Sequence, residues 1–252
     1  MKIVAIAGVT LREALRRKVQ VNLLLFGLVL VAASYIISTL TLGVMHRIIA
    51  DLGLASMSLI GSLLAVFLGA SSIAGDVERR VVFPVVAKPV SRAEYVVGRY
   101  FGLACALLLN LAVMAAVLAA TLAFDARSFK PIDATFLAAI AMIGIQLLVV
   151  AAIAVLFSSF TTTTLASIFA LSITLAGQLS NDLRNLWHEG GATLGKVLWY
   201  ALPNLGALNL NEAVIYRTPA PPTAWVAAGY GVLYAATAIA LACIAFERRD
   251  FR

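Results

Sequence analysis

DVERRVVFPVVAKPVSRAEYVVGR, residues 76–99, decides how this chain folds. The stretch carries eight charged residues and two prolines. Runs without any charge lie on both sides of it, 52–75 before and 100–124 after. A helix needs roughly 20 apolar residues to cross roughly 30 Å of hydrocarbon. Each flanking run is therefore long enough to span a membrane. The island between them must sit in water or against another protein.

Further charge-free runs fall at 19–45, 134–181 and 218–246, and the 134–181 run is long enough for two spans and a tight turn. The chain is 62% hydrophobic and 12% charged, whereas a soluble domain carries about 25% charged residues. The expected fold is all-α, a polytopic membrane protein with a single transmembrane domain over 1–252. Six spans are expected at about 19–44, 54–73, 92–124, 134–157, 165–179 and 223–246. No polar stretch is long enough to form a soluble core. The apolar start of the chain, with its basic residues behind it and a span-length run following, does not read as a cleavable leader. Cys105 and Cys243 both lie in apolar runs and are expected to be small buried hydrophobes. Their number and spacing support neither a disulfide framework nor a metal site.

Charge sets the expected orientation. With six spans, both termini share a side with the island. That side holds thirteen of the 19 Lys and Arg residues, and the other side holds six. Acidic residues divide equally. Basic residues in short loops favour the cytoplasm, so the termini and the island are expected there. Juxtamembrane Lys and Arg also suit anionic lipid, and no nucleic-acid partner is expected.

Residues 1–18 read as an interfacial helix along the membrane surface, with Val4, Leu11 and Leu15 on one face and Arg12, Glu13, Arg16 and Arg17 on the opposite arc. Ile6 and Val9 break that pattern. A short outer loop is expected around His46–Asp51. Residues 74–82 can extend the second span as a helix, and Pro84 and Pro89 limit helix beyond it. Ser91-Arg92-Ala93-Glu94 is a capping box, with Val90 and Tyr95 placed as its hydrophobic staple. Segment 74–91 thus reads as a helix–break–helix elbow. Ser158–Thr164 reads as an inner turn rich in hydroxyls. The outer loop, 181–222, contains a 15-residue charge-free run at 197–211 that suits a pair of short re-entrant helices. Trp187, Trp199 and Tyr200 would sit at headgroup level.

Absent chemistry narrows the function. The apolar runs contain no Asp, Glu, Lys, Arg or His, which argues against an ion-coupled carrier. No GxSxG, HExxH or phosphate-binding loop occurs, so catalytic residues are not expected. The milder polar groups Ser62, Asn110, Gln146, Ser172, Thr174, Gln178, Tyr230 and Tyr234 read as helix–helix hydrogen-bonding residues. Energy for transport must then arrive from a partner docking on the elbow.

These residues resemble a known family. LREALRRK before the first span resembles the N-terminal surface helix of ABC-2 type transporter permeases. The elbow resembles their coupling segment through Glu78, Pro89-Val90-Ser91-Arg92, Tyr95 and Gly98-Arg99-Tyr100. Leu202-Pro203-Asn204 and Asn209 resemble the loop before the last span. Arg79-Arg80-Val81-Val82 stands where the family often carries Gly-Thr. The overall flavour is similar to the branch serving nitrous-oxide-reductase copper-site maturation and gliding motility.

The resemblance implies an exporter permease in a bacterial inner membrane, paired with a second copy or paralogue. Two cytoplasmic ATPase subunits would carry the ATP and Mg, with no cofactor on this chain. It implies coupling roles for Asp76, Glu78, Arg79, Arg80, Pro84, Lys88, Pro89, Ser91, Arg92 and Glu94. Arg12, Arg16 and Arg17 would place the surface helix beside the ATPase. Pro203 and Asn204 would shape an outer gate, and Ser62, Phe67, Ser172, Thr174 and Gln178 would line a path between protomers. A second expectation is a non-transporting subunit that passes ATPase motion to a periplasmic protein through the outer loop.

Overall fold

Charge-free runs become helices because a backbone in hydrocarbon must satisfy its own N–H and C=O groups. A computed structural model describes residues 2–39, 45–78, 91–126, 133–179, 202–219 and 221–248. Its helices are α1 (Lys2–Arg16), α2 (Lys18–Thr39), α3 (Met45–Glu78), α4 (Arg92–Ala126), α5 (Ala134–Phe160), α6 (Thr163–Gln178), α7 (Asn211–Ile215) and α8 (Thr223–Glu247), with a 3-10 turn at Gly206–Leu208. No strand occurs among the described residues. Five helices, α2, α3, α4, α5 and α8, are long and apolar enough to cross a membrane. α6 is apolar but has 16 residues.

α3 and α5 form the centre. α5 packs against α3 and α8, and α3 also packs against α2, α4 and α6. Small residues bring the two central helices together. A Cβ added at Gly69 would lie 2.6 Å from the Ala154 Cβ, so only glycine allows this approach. Polar side chains then bridge the same pair. Gln146 donates to Ser58 Oγ at 2.9 Å and Ser62 Oγ at 3.2 Å. Ser158 donates to the Ala70 carbonyl at 2.7 Å and accepts from the Ala74 N–H at 2.8 Å. Such bonds between membrane helices are worth about 0.6–2 kcal/mol each.

Several expectations change. His46–Asp51 is not a loop, because α3 begins at Met45 and runs through it. The inner turn shrinks to Thr161 and Thr162, since α5 continues to Phe160 and α6 starts at Thr163. Its serines stay helical because Ser158 and Ser159 find carbonyl acceptors, Ser158 across to α3 and Ser159 within its own turn. Cys105 is exposed and Cys243 is half-buried. Burial does not follow from apolarity here, because a helix surface facing lipid is as apolar as one facing protein. Residues 79–90 and 180–201 lie outside the described residues. So do Val90 of the staple, Trp187, Trp199 and Tyr200.

α1 shows three strips instead of two. Val4 is exposed on the apolar side, and Arg12 and Arg16 are exposed on the basic side. The strip that meets protein is a third one, where Thr10 and Ala14 are buried. It lies on α4 at Gly98 and Gly102. A Cβ at Gly98 would meet Ile6 at 2.8 Å, and one at Gly102 would meet the Ala7 carbonyl oxygen at 2.5 Å. Ile6 breaks the two-face pattern because it belongs to this third, protein-facing strip.

Candidate functional site

The capping box forms as its sequence requires. The Ser91 N–H donates to Glu94 Oε2 at 2.9 Å, and the Glu94 N–H donates to Ser91 Oγ at 3.1 Å. α4 therefore starts at a defined residue, and its first two turns point Tyr95 and Arg99 along one face, four residues apart. That face meets the last turns of α3 on one side and α1 on the other.

A buried ion cluster joins the three helices. Arg99, Asp76 and Tyr95 are each less than a tenth exposed. Arg99 pairs with Asp76 through Nη2 and donates from Nη1 to Glu13 Oε2 at 2.7 Å. Its Nε donates to Tyr95 Oη at 3.2 Å. Tyr95 in turn donates to the Asp76 carboxylate. Glu13 also accepts from Arg17 at 2.8 Å, and Arg17 donates onward to Ser71 on α3. Two carboxylates thus face two guanidiniums, and the cluster is formally neutral. Charges this buried persist only when paired and hydrogen-bonded. The cavity beside it, lined by Thr10, Glu13, Arg17, Ser72 and Arg99, is barely large enough for one water. The arrangement fastens helices together and leaves no room for a substrate.

The Glu13 carboxyl feels opposing influences. Burial pushes it up, but hydrogen bonds from Arg99 and Arg17 and their charges outweigh that, leaving it below its ordinary 4.5. A carboxylate held down by folding adds stability above its ordinary value and loses it as pH falls through the lowered one. α1 should therefore stay docked at every pH above the ordinary carboxyl value of 4.5 and loosen only below it. Thiol labelling of Ala14→Cys, a buried position on α1, measures this. Loosening already between about pH 6 and pH 5 would contradict the assignment.

The other elbow residues divide. Glu78, the last residue of α3, accepts from the Thr163 N–H at 2.9 Å and from Thr163 Oγ1 at 3.1 Å. Arg92, the first residue of α4, donates to the Glu247 carbonyl at 2.8 Å. Asp76 turns inward, so the structure brings it together with Arg99 and Tyr95 and not with the outer surface. Arg79, Arg80, Pro84, Lys88 and Pro89 lie outside the described residues.

The family model described as ABC-2 family transporter protein matches residues 18–251. The chain belongs to this family. Comparison with curated proteins finds no match. It is a multi-pass membrane protein and, as ABC-2 members are, a membrane transport component.

At the other end of this ABC-2 protein, Pro203 and Asn204 close over α6. The Leu205 N–H donates to the Gly177 carbonyl at 3.1 Å, and a Cβ at Gly177 would lie 2.6 Å from the Pro203 oxygen. The Asn204 N–H donates to Tyr230 Oη on α8 at 3.2 Å, and its side chain accepts from Ala207 at 3.0 Å. This segment thus pins the end of α6 to α8. The expected path residues do not share one surface. Phe67, Ser172 and Gln178 are exposed, whereas Ser62 and Thr174 are buried and hydrogen-bonded inside the chain.

Sequence reasoning named Arg99 only as part of a motif and gave Glu13 no role beyond the polar arc. One signal pointed to both. Glu13 is the sole acid among the first 50 residues, set between Arg12 and Arg16-Arg17. An acid retained in a strongly basic helix has a partner worth seeking.

Proposed function

We propose that this chain is the permease subunit of an ATP-binding-cassette exporter, moved by a separate cytoplasmic ATPase pair that holds the ATP and Mg. One observation supports the coupling step above others. The two helix ends flanking residues 79–90 are joined to each other and to α1 by a single buried ion cluster through Asp76, Arg99 and Glu13. A push on the elbow is then delivered to three helices as a unit. Arg79, Arg80, Pro84, Lys88 and Pro89 would take the ATPase contact, and Arg12 and Arg16, exposed on α1, would place that helix beside the ATPase.

α6 is the additional, sixth span. At about 1.5 Å per residue its 16 residues reach about 24 Å, a mismatch that local thinning of the bilayer absorbs. Leu165, Ile168, Phe169 and Leu175 are exposed along it, as a lipid or protomer contact requires. Six spans put both termini and the elbow on the basic, cytoplasmic side of a bacterial inner membrane, and a second copy or paralogue completes the complex.

The test is co-expression with any ABC ATPase that the genome encodes next to this chain. The ATPase is expected to co-purify and to hydrolyse ATP several-fold faster with the permease than without. Arg79→Glu/Arg80→Glu should abolish the stimulation. Assembly and stimulation left intact by that pair would refute the elbow as the coupling surface.

A further inference from the structure

Glu78 and Arg92 stand on either side of residues 79–90, and each leaves its own helix to hold the end of another. The Glu78 carboxylate sits on the first residue of α6, where Thr162, the residue at the N-cap, makes no side-chain capping bond. Its charge faces the positive end of the α6 dipole, with free N–H groups to satisfy. Arg92 does the converse. Its guanidinium donates to the carbonyls of Glu247 at 2.8 Å and Phe246 at 3.4 Å, the last two residues of α8. A cation there meets the negative end of a dipole and adds a donor to the carbonyls of its last turn. The ring of Tyr95 stacks on Phe246 beside this contact, with centroids 5.8 Å apart. The signs are opposite because the termini are opposite.

We propose that Glu78 and Arg92 are transmission links, fastening the two sides of the elbow to the near ends of α6 and α8. Displacing the elbow then carries those two spans with it. α6 and α8 also meet at their far ends, through Leu205 on Gly177 and Asn204 on Tyr230. Movement entering at Thr163 is therefore delivered to the Pro203-Asn204 segment by α6 as a rigid rod. Glu78 becomes a positioning residue that acts through α6, not a surface for the ATPase. The source of the displacement rests on the coupling reading above; the links do not.

Hydrogen exchange of the full chain in lipid nanodiscs tests them. Glu78→Ala should speed exchange of the first α6 amides, 163–166, by about tenfold and leave the last α8 amides, 244–247, unchanged. Arg92→Ala should do the reverse. No change, or the same change at both ends, would overturn the links. A cap that only stabilises is separated by a second readout, a fluorophore on Ile168→Cys, an exposed position of α6. In complexes with the ATPase, ATP should shift its signal in the wild-type chain and not in Glu78→Gln. A shift that survives Glu78→Gln would overturn transmission. If no ATPase binds the chain, the coupling reading fails, and the exchange crossover still decides the links.

Discussion

Arg99→Met is expected to destabilise the bundle by about 3–5 kcal/mol, because it leaves a buried carboxylate without its cation. Among the described residues, Asp76 would keep only the Tyr95 hydroxyl, at a position a twentieth exposed. Glu13 would suffer less, since Arg17 still holds it at 2.8 Å. The asymmetry makes the prediction specific. Asp76→Asn added to Arg99→Met should recover much of the loss, because a neutral amide needs no counter-charge. Glu13→Gln added to Arg99→Met should recover little. Arg99→Lys should fall between, since an ammonium cannot present the fork that reaches Asp76, Glu13 and Tyr95 together. Unfolding by denaturing detergent, followed across these variants, gives the coupling energies. Equal recovery from both second substitutions, or Arg99→Met within about 0.5 kcal/mol of wild type, would show that the cluster does not fasten the helices.

Gly102→Ala should displace α1 from α4 at a cost of about 1–3 kcal/mol. The added methyl would sit 2.5 Å from the Ala7 carbonyl oxygen and 2.6 Å from the Thr10 Cβ. Neither is the tip of a flexible side chain, so the helix as a whole must move. That movement lengthens the Glu13–Arg99 contact, and the expected readout is faster thiol labelling of Ala14→Cys. Gly8→Ala provides the control within the same helix. Nothing lies within 4 Å of a Cβ there, and replacing glycine by alanine in an open helix gains about 0.5–1 kcal/mol. Opposite signs at Gly102 and Gly8 are the expected result. Matching effects would mean that close packing does not hold α1.

Local features were legible from the residues alone. The five long apolar helices follow from charge-free runs, and the Ser91–Glu94 capping box forms because both its bonds lie within three residues. Hydrogen bonding between helices at Gln146 also matched expectation, since a polar side chain in an apolar bundle has few other options. Non-local matters were less legible. Asp76 and Glu78, two residues apart, were read together as residues of the coupling segment. On a helix that spacing is nearly opposite faces, and one turns in to Arg99 while the other reaches Thr163. Ser158 was read as a turn residue, yet its hydroxyl joins the backbone of α3 at Ala70 and Ala74. Ser62 and Thr174 were placed on a path between protomers and are buried within one.

Composition and charge pattern are enough to establish a helical membrane protein, to place its apolar helices, and to show that a charged island interrupts them. Those properties follow from transfer of each segment out of water, which depends on composition over about 20 residues. Which distant side chains meet is set by how the helices pack. Glu13 and Arg99 are 86 residues apart, and Glu78 and Thr163 are 85 apart. Such contacts form because packing brings each buried charge against partners able to satisfy it, and because Gly98 and Gly102 allow α1 close enough to supply Glu13. The island at 76–99 is read from its own residues as exposed polar chain. Its flanks are in fact bound inward, to α1, α6 and α8, because a charge at the edge of the bundle is stabilised more by a helix end or a buried partner than by remaining unpaired.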